Sequence, residues 1–270
     1  MQEGPARPFF FLCGLPIRYR LLCPLNPSMG GFRVAAGVAG QAMTRLTTDV
    51  TTVISRLCGE LNFDRPEKDE ALELCSAYLA LQDAGLHPAE AAEVVTEVRV
   101  GAIGSGRNRG DDGSLDAIAV LVGDACVTPS IDRAVLRTML ADVGERGIQF
   151  VLVQATGVDP ASPVAPALKD KVNGFLVGIQ LFLNAPSDAS GLNEQVKSWL
   201  AFRDEILALL DELDLVEPRI SLRATLVWPR PIRLEDIHRH NIEAIGTSAA
   251  QRLAIARDRC QIEVWNIDVE

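Results

Sequence analysis

The segment IQFVLVQAT, residues 148–156, decides the fold of this chain. From residue 148 to residue 155 it is apolar except for Gln149 and Gln154. An apolar run of this length is typical of a strand that is buried on both faces. Gly147, directly before it, is expected to end a helix over residues 130–146. We therefore predict a β-sheet that has residues 148–155 as its central strand.

Strands and helices are predicted to alternate along the rest of the chain. Residues 115–122 and 125–128 form a predicted hairpin turned by Gly123 and Asp124, and further strands are predicted over residues 219–228 and 261–269. Apolar residues at helical spacing predict helices over residues 48–61, 66–84, 87–93, 168–183, 194–213 and 234–258. This alternation predicts an α/β fold with a mixed central β-sheet flanked by helices.

Residues 1–42 differ in composition from the rest of the chain. The apolar run FFFLC at residues 9–13 is too short to span a membrane, and prolines and arginines follow it closely. We expect residues 1–42 to form a disordered extension before an α/β domain over residues 43–270, with a short targeting segment as the alternative. No membrane association is expected, and six irregularly spaced cysteines indicate reduced thiols in a cytoplasmic protein.

The charge and the histidine content restrict the classes of function. A formal net charge of −10 excludes non-specific binding of nucleic acid through the overall field, so contact with DNA needs a local patch or a bound cation. Three histidines and the absence of a C-x-x-C pair argue against a zinc site. His238 and His240, two residues apart, are predicted to be solvated polar residues. Trp199 and Trp228 are predicted to be core or interface aromatics.

Acidic and amide side chains stand at the predicted strand ends. Asp116 lies at the start of the first hairpin strand, and Gln154 lies near the end of the central strand. Carboxylate and amide oxygens are ligands that Mg²⁺ accepts, so this pair predicts a site for Mg²⁺ or Mn²⁺. Glu73, on the second predicted helix, adds a third carboxylate if that helix packs beside the strand ends.

Thr156 stands where a metal-dependent phosphodiesterase needs a positive group near the attacking water. By strand alternation, it shares a face with Gln154. A hydroxyl carries no charge and does not replace the electrostatic effect of an ammonium group. Lys169 and Lys171, which follow a proline-rich loop, are alternative sources of that charge.

Two motifs carry a resemblance to a known family. DGSLDAIAV at residues 112–120 and IQFVLVQAT at residues 148–156, followed by the helix that contains Phe175 and Phe182, resemble the amino-terminal region of the AIPR (abortive infection phage resistance) family. The family pattern is similar to Asp-Gly-Gly-Ile-Asp-x-Ile-Ala, then Val-Phe-Val-Gln-Ala-Lys. The likeness covers residues 48–270 and lacks the longer carboxy-terminal part that such proteins usually have.

The resemblance implies a fold, an activity and a set of site residues. The region resembles restriction-endonuclease-like nucleases of the PD-(D/E)xK class, Gln-x-Lys type, which implies Mg²⁺ or Mn²⁺ as cofactor and cleavage of DNA in phage defence. Asp116 and Gln154 match metal-site positions, and Glu73 matches the helical acidic residue. Thr156 takes the place of the catalytic lysine.

Other interpretations of the same residues stay open. Without the lysine, the chain is either an impaired nuclease or a catalytically inactive module that binds nucleic acid or protein, and a homodimer is a further expectation. It is alternatively a fragment of a longer gene product. Asp116, Gln154 and Glu73 also have structural interpretations, as a turn residue, a buried hydrogen-bonding residue and a solvated carboxylate. The glycine-rich residues 101–114 lack the Gly-Lys-Ser/Thr of a phosphate-binding loop.

Overall fold

The computed structural model describes residues 44–46, 59, 68–100, 114–144, 146–156, 164–214, 219–228 and 236–267. The expected extension over residues 1–42 and the glycine-rich residues 101–113 lie outside these ranges, as does the predicted helix over residues 48–61 except for its residue 59. All described residues belong to one unit of the chain, Gly31–Glu270. Within the described ranges, no helix is both long and apolar enough to cross a membrane.

The described elements alternate as an α/β protein does. The helices are α1 (Lys68–Asp83), α2 (Pro88–Val94), α3 (Arg133–Asp142), α4 (Val164–Asn184), α5 (Glu194–Glu212) and α6 (Asp236–Arg252). The strands are β1 (Thr44–Leu46), β2 (Ala117–Val122), β3 (Ala125–Val127), β4 (Ile148–Ala155), β5 (Ile220–Trp228) and β6 (Cys260–Ile267). The α/β class predicted from the sequence is confirmed.

Two predicted helices are shorter than expected. The predicted helix over residues 130–146 begins only at Arg133, because the Asp132 side chain accepts hydrogen bonds from the N–H groups of Ala134 and Val135 and caps the first turn. The predicted helix over residues 234–258 ends at Arg252, and a 3₁₀ turn at 257–259 leads into β6.

The sheet is mixed, with the strand order β1-β6-β5-β4-β2-β3. The strands β1, β6, β5 and β4 run parallel to one another, whereas β2 pairs antiparallel with both β4 and β3. A bridge between Arg99 and Ala117 adds residues 98–100 to the outer edge of β2. The mixed sheet is as predicted, and the edge strand β1 is an addition that its own sequence does not predict.

Strand β4 forms the centre of the sheet. All of its residues are buried except Gln149 and Ala155, which are half-buried. Its side neighbours are β5 and β2, so its backbone groups are paired on both edges. Phe150 meets Phe182 of α4 edge to face, with the ring centroids 5.6 Å apart. Burying a large side chain of this kind contributes about 1.5–3 kcal/mol.

Helices cover both faces of the sheet. On one face, Ala77 and Leu81 of α1 enclose a small gap together with Val153. On the other face, α4 packs through Phe182, and α6 packs beside α4. We call these the α1 face and the α4 face. Because side chains alternate along a strand, Val153 belongs to the α1 face and Gln154 to the α4 face.

Gly147 sets the entry of the chain into β4. Its φ is +76°, and a Cβ at this position would lie 2.1 Å from the carbonyl oxygen of Arg219. That same carbonyl accepts a hydrogen bond from the N–H of Ile148 at 2.7 Å, which starts the β4–β5 ladder. A side chain at residue 147 would therefore both strain the backbone and separate the two strands.

We expect Gly147→Ala to lower the free energy of unfolding by about 3 kcal/mol or more, because a left-handed conformation and an overpacked contact act together. Gly191→Ala is the matched control: Gly191 has a φ of +84° but nothing within 4 Å of its added Cβ. It should lose only about 1 kcal/mol. Urea unfolding measures both values, and equal losses would contradict the account.

Candidate functional site

The two predicted metal-site residues meet at one edge of the sheet. The carboxyl ends of β4 and β5 lie at this edge because the two strands are parallel. The start of β2 lies there as well, since β2 is antiparallel to β4 and Ala117 stands opposite Val153. Asp116 directly precedes Ala117, and it is hydrogen-bonded to Val153 and Ala155, the residues on either side of Gln154. Asp116 and Gln154 therefore lie at the same edge of the sheet. We call this place the carboxyl edge.

Asp116 continues the strand ladder with its side chain. Its backbone N–H donates to the carbonyl oxygen of Val153 at 2.8 Å. Its Oδ2 accepts a hydrogen bond from the N–H of Ala155 at 2.5 Å. In a longer β2 strand, a backbone carbonyl would accept this hydrogen bond instead. An ionised carboxylate can accept about four hydrogen bonds, so this contact is compatible with binding a cation. Asp116 thus has a structural role whatever else it does.

Gln154 and Thr156 are buried on the α4 face with polar atoms that lack partners. Gln154 is 7% exposed and Thr156 is 2% exposed. Neither the Oε1 of Gln154 nor the Oγ1 of Thr156 has a hydrogen-bond partner in the described part of the chain. Buried polar atoms nearly always have one. An amide oxygen in this state is suited to a hard cation or to water.

Glu73 forms an ion pair on the α1 face of the sheet. Its Oε2 accepts a hydrogen bond from Nη2 of Arg99 at 2.8 Å, and Glu70 accepts from Nη1 of the same guanidinium at 2.8 Å. Arg99 stands opposite Ala117 and reaches α1, so all three charges lie on the α1 face. The structure therefore places Asp116 and Gln154 at one edge of the sheet and Glu73 in an ion-pair cluster with Arg99 and Glu70.

Arg99 is the residue of this region that the sequence interpretation missed. It is 5% exposed and joins α1 to the start of β2. Burial lowers the pKa of the Arg99 guanidinium, but the hydrogen bonds and charges of Glu73 and Glu70 raise it above its usual value overall. It therefore stays cationic and holds both carboxylates. The only signal in the sequence is the i, i+3 spacing of the two glutamates on one helix face.

The donor set at the carboxyl edge is sparse but fits a hard divalent cation. Among the described residues, there is no cluster of three or more His, Cys, Asp or Glu side chains that could hold a metal. Mg²⁺ usually binds through one or two carboxylates and keeps several waters. Asp116 and the unpaired oxygen of Gln154 match that pattern. Lys169 and Lys171 have exposed side chains on α4.

The backbone before Asp116 is constrained by α4. Ser114 has a φ of +62°, a conformation uncommon outside glycine. A Cβ on Gly174 of α4 would lie 3.6 Å from the Oγ of Ser114, so the helix passes directly beside this turn. The carboxyl edge is therefore level with residue 174 of α4.

The chain has no significant match among protein-family models, curated proteins or solved structures.

We expect Glu73→Gln to act on stability and not on metal binding. The change leaves the buried Arg99 with a single charged partner, which should lower the free energy of unfolding by about 1–2 kcal/mol. Mn²⁺ affinity, measured by calorimetry, should stay unchanged. Glu194→Gln, which removes an exposed ion pair with Lys197, serves as the control and should change stability by less than about 0.5 kcal/mol. A loss of Mn²⁺ affinity in Glu73→Gln would show that Glu73 is a ligand after all.

Proposed function

We propose that the chain is a metal-dependent DNA nuclease module with a restriction-endonuclease-like core. The observation that carries the proposal is that Asp116 is hydrogen-bonded to Val153 and Ala155, on either side of Gln154, and that the buried Oε1 of Gln154 has no partner among the described residues. A role in phage defence follows from the resemblance of the two motifs to the AIPR family. Mg²⁺ or Mn²⁺ is the proposed cofactor.

The order and direction of the strands support this proposal. Along the chain, α1 and α2 precede the β2–β3 hairpin, α3 leads to β4, and α4 and α5 lead to β5. An antiparallel β2–β4 pair next to a parallel β4–β5 pair puts an acidic strand start beside a polar strand end. In open α/β sheets, ligands bind outside the carboxyl ends of the strands, which is where these residues lie.

The charges of the site fit a reaction at a phosphodiester. The protein carries a net charge of −10, so a polyanion approaches this edge only with local compensation. A bound divalent ion would supply that charge and polarise a phosphoryl oxygen. Asp116 would hold the ion with its carboxylate and Gln154 with its amide oxygen. Thr156 offers a hydroxyl but no charge for the leaving group, so we expect slow cleavage.

A binding module without catalysis is the second candidate function. It is favoured by Thr156, which is 2% exposed and uncharged where the resembled nucleases carry a lysine. It is favoured further by Glu73, which is held by Arg99 on the opposite face. Such a module would bind nucleic acid or protein and would cut nothing.

We expect Asp116→Asn to reduce plasmid cleavage by the full chain with Mn²⁺ about 100-fold or more, because the metal loses its one charged ligand. Asparagine is chosen because its oxygen still accepts the Ala155 N–H, whereas alanine would leave that donor unpaired and confound activity with stability.

Asp132→Asn is the control for this change. It is the same substitution at the cap of α3, where asparagine caps as well as aspartate. Cleavage by Asp132→Asn should equal that of the parent. Equal cleavage by the parent and by Asp116→Asn would contradict the proposed site.

Thr156→Lys separates the two candidate functions. If the site is an impaired nuclease, a lysine here should raise cleavage about 10- to 100-fold, through the charge it adds near the reacting phosphate. Thr156→Met, similar in length but uncharged, should not raise it. Cleavage that is absent in the parent and in Thr156→Lys, with both proteins folded and binding DNA, would favour the binding module.

A further inference from the structure

A groove with a volume of about 280 Å³ runs between α4 and α6. Its apolar lining is formed by Leu176, Val177, Ala244 and Ile245. Its polar lining is formed by the amide side chains of Asn173, Gln180 and Asn241. Small-molecule sites usually measure about 300–1,000 Å³ and enclose most of their ligand. Because Asn173, Gln180 and Ala244 are exposed, this groove is open to solvent and suits the side chains of another protein surface.

The surface around this groove carries no charge, although 23% of the chain is charged. No Asp, Glu, Lys or Arg occurs in the sequence from residue 172 to residue 187 or from residue 244 to residue 251. Helical spacing places the exposed residues of these segments beside the groove, and we call them the uncharged face: Asn173, Val177, Gln180 and Asn184 on α4, with Ala244 and Ser248 on α6. On α5, by contrast, the exposed positions include Glu194, Asp204 and Asp211.

Val177 protrudes from the uncharged face. It is 56% exposed, and among the described residues the other exposed large apolar side chain is Val135 of α3, at 51%. A single exposed apolar residue is ordinary on a protein surface, but Val177 stands at a groove that Leu176 and Ile245 also line. An apolar side chain and an apolar recess thus lie next to each other. A two-fold symmetric contact requires this arrangement, because each copy must offer both the protruding side chain and the recess that receives it.

The charges of the chain favour a second copy of the same chain as the occupant of the groove. With a net charge of −10, two copies repel each other through most of their surfaces. Contact through the uncharged face buries no charge, and the centres of protein interfaces are depleted of Lys, Glu and Asp. A nucleic acid would need basic side chains, which this face lacks. Its amide side chains are self-complementary, because each has both a donor and an acceptor.

We propose that the chain forms a two-fold symmetric homodimer through the uncharged face. Val177 of each copy enters the groove of the other, between the partner's Leu176 and Ile245. The two-fold axis lies across the two α4 helices, so the helices run antiparallel and residues before Val177 in one meet residues after it in the other. Asn173 of one copy then lies near the partner's Gln180, and their amides hydrogen-bond across the interface. The dimer does not require the proposed metal site.

Analytical ultracentrifugation of the full chain tests this interface. The parent should sediment as a dimer that dissociates on dilution. Val177→Glu should raise the Kd of the dimer about 100-fold or more, because it would bury an unpaired carboxylate in the apolar groove of the partner. Val135→Glu is the matched control, since Val135 is exposed to a similar extent on α3. Its Kd should equal that of the parent.

A second pair of variants tests the groove itself. Ala244→Trp should fill the groove without adding a charge and raise the Kd of the dimer about 10-fold or more, because the partner's Val177 loses its space. Ala141→Trp, at an exposed position of α3, should leave the Kd unchanged. High salt should not weaken the dimer, since its contacts are uncharged. Urea unfolding of each variant shows that it is folded.

Three results would decide against the dimer or separate it from the nuclease. A parent that stays monomeric at its highest soluble concentration would overturn the dimer and leave the uncharged face to a different protein. A dimer that neither Val177→Glu nor Ala244→Trp weakens would place the interface elsewhere and overturn the proposal equally. A monomer that cleaves DNA would reject the interface and retain the nuclease, whereas a dimer that these variants dissociate but that cuts nothing would do the reverse.

Discussion

The pairing of β4 with a parallel strand on one side and an antiparallel strand on the other is the constraint on which the site depends. Because β5 is parallel to β4, polar residues at the ends of both strands share one edge. Because β2 is antiparallel to β4, its first residues reach that same edge. The burial of β4 on both faces keeps this register, since a shift by one residue would move Gln154 from the α4 face to the α1 face.

Asp116 shows how closely stability and chemistry are joined at this edge. Its carboxylate extends the ladder by accepting the N–H of Ala155, and the same group is the one charged ligand proposed for the metal. The carboxylates of α1 have a structural role instead. Glu70 and Glu73 form ion pairs with Arg99, which connect the helix to the start of β2. Gln154 and Thr156, on the α4 face, carry no charge, so they do not supply the electrostatic stabilisation that a leaving group needs.

The fold was largely predictable because its signals are local. The apolar run of β4, the Gly123 turn and the helical periodicities each depend on neighbouring residues. The predictions that were wrong or missing concern residues whose contact partners are distant in the chain. His238 was predicted to be solvated, yet α6 turns it inward and leaves it 3% exposed. The ion pairs of Arg99 and the pairing of the three-residue strand β1 with β6 involve partners that no local pattern reveals.

The most direct test of the central claim is an anomalous difference map from crystals of the full chain soaked in Mn²⁺. We predict a manganese peak at the carboxyl edge, coordinated by the carboxylate of Asp116 and the side-chain oxygen of Gln154, with water completing the shell. Glu73 should remain bound to Arg99. A map without density at this edge, from crystals that bind Mn²⁺ elsewhere or not at all, would contradict the proposed metal site.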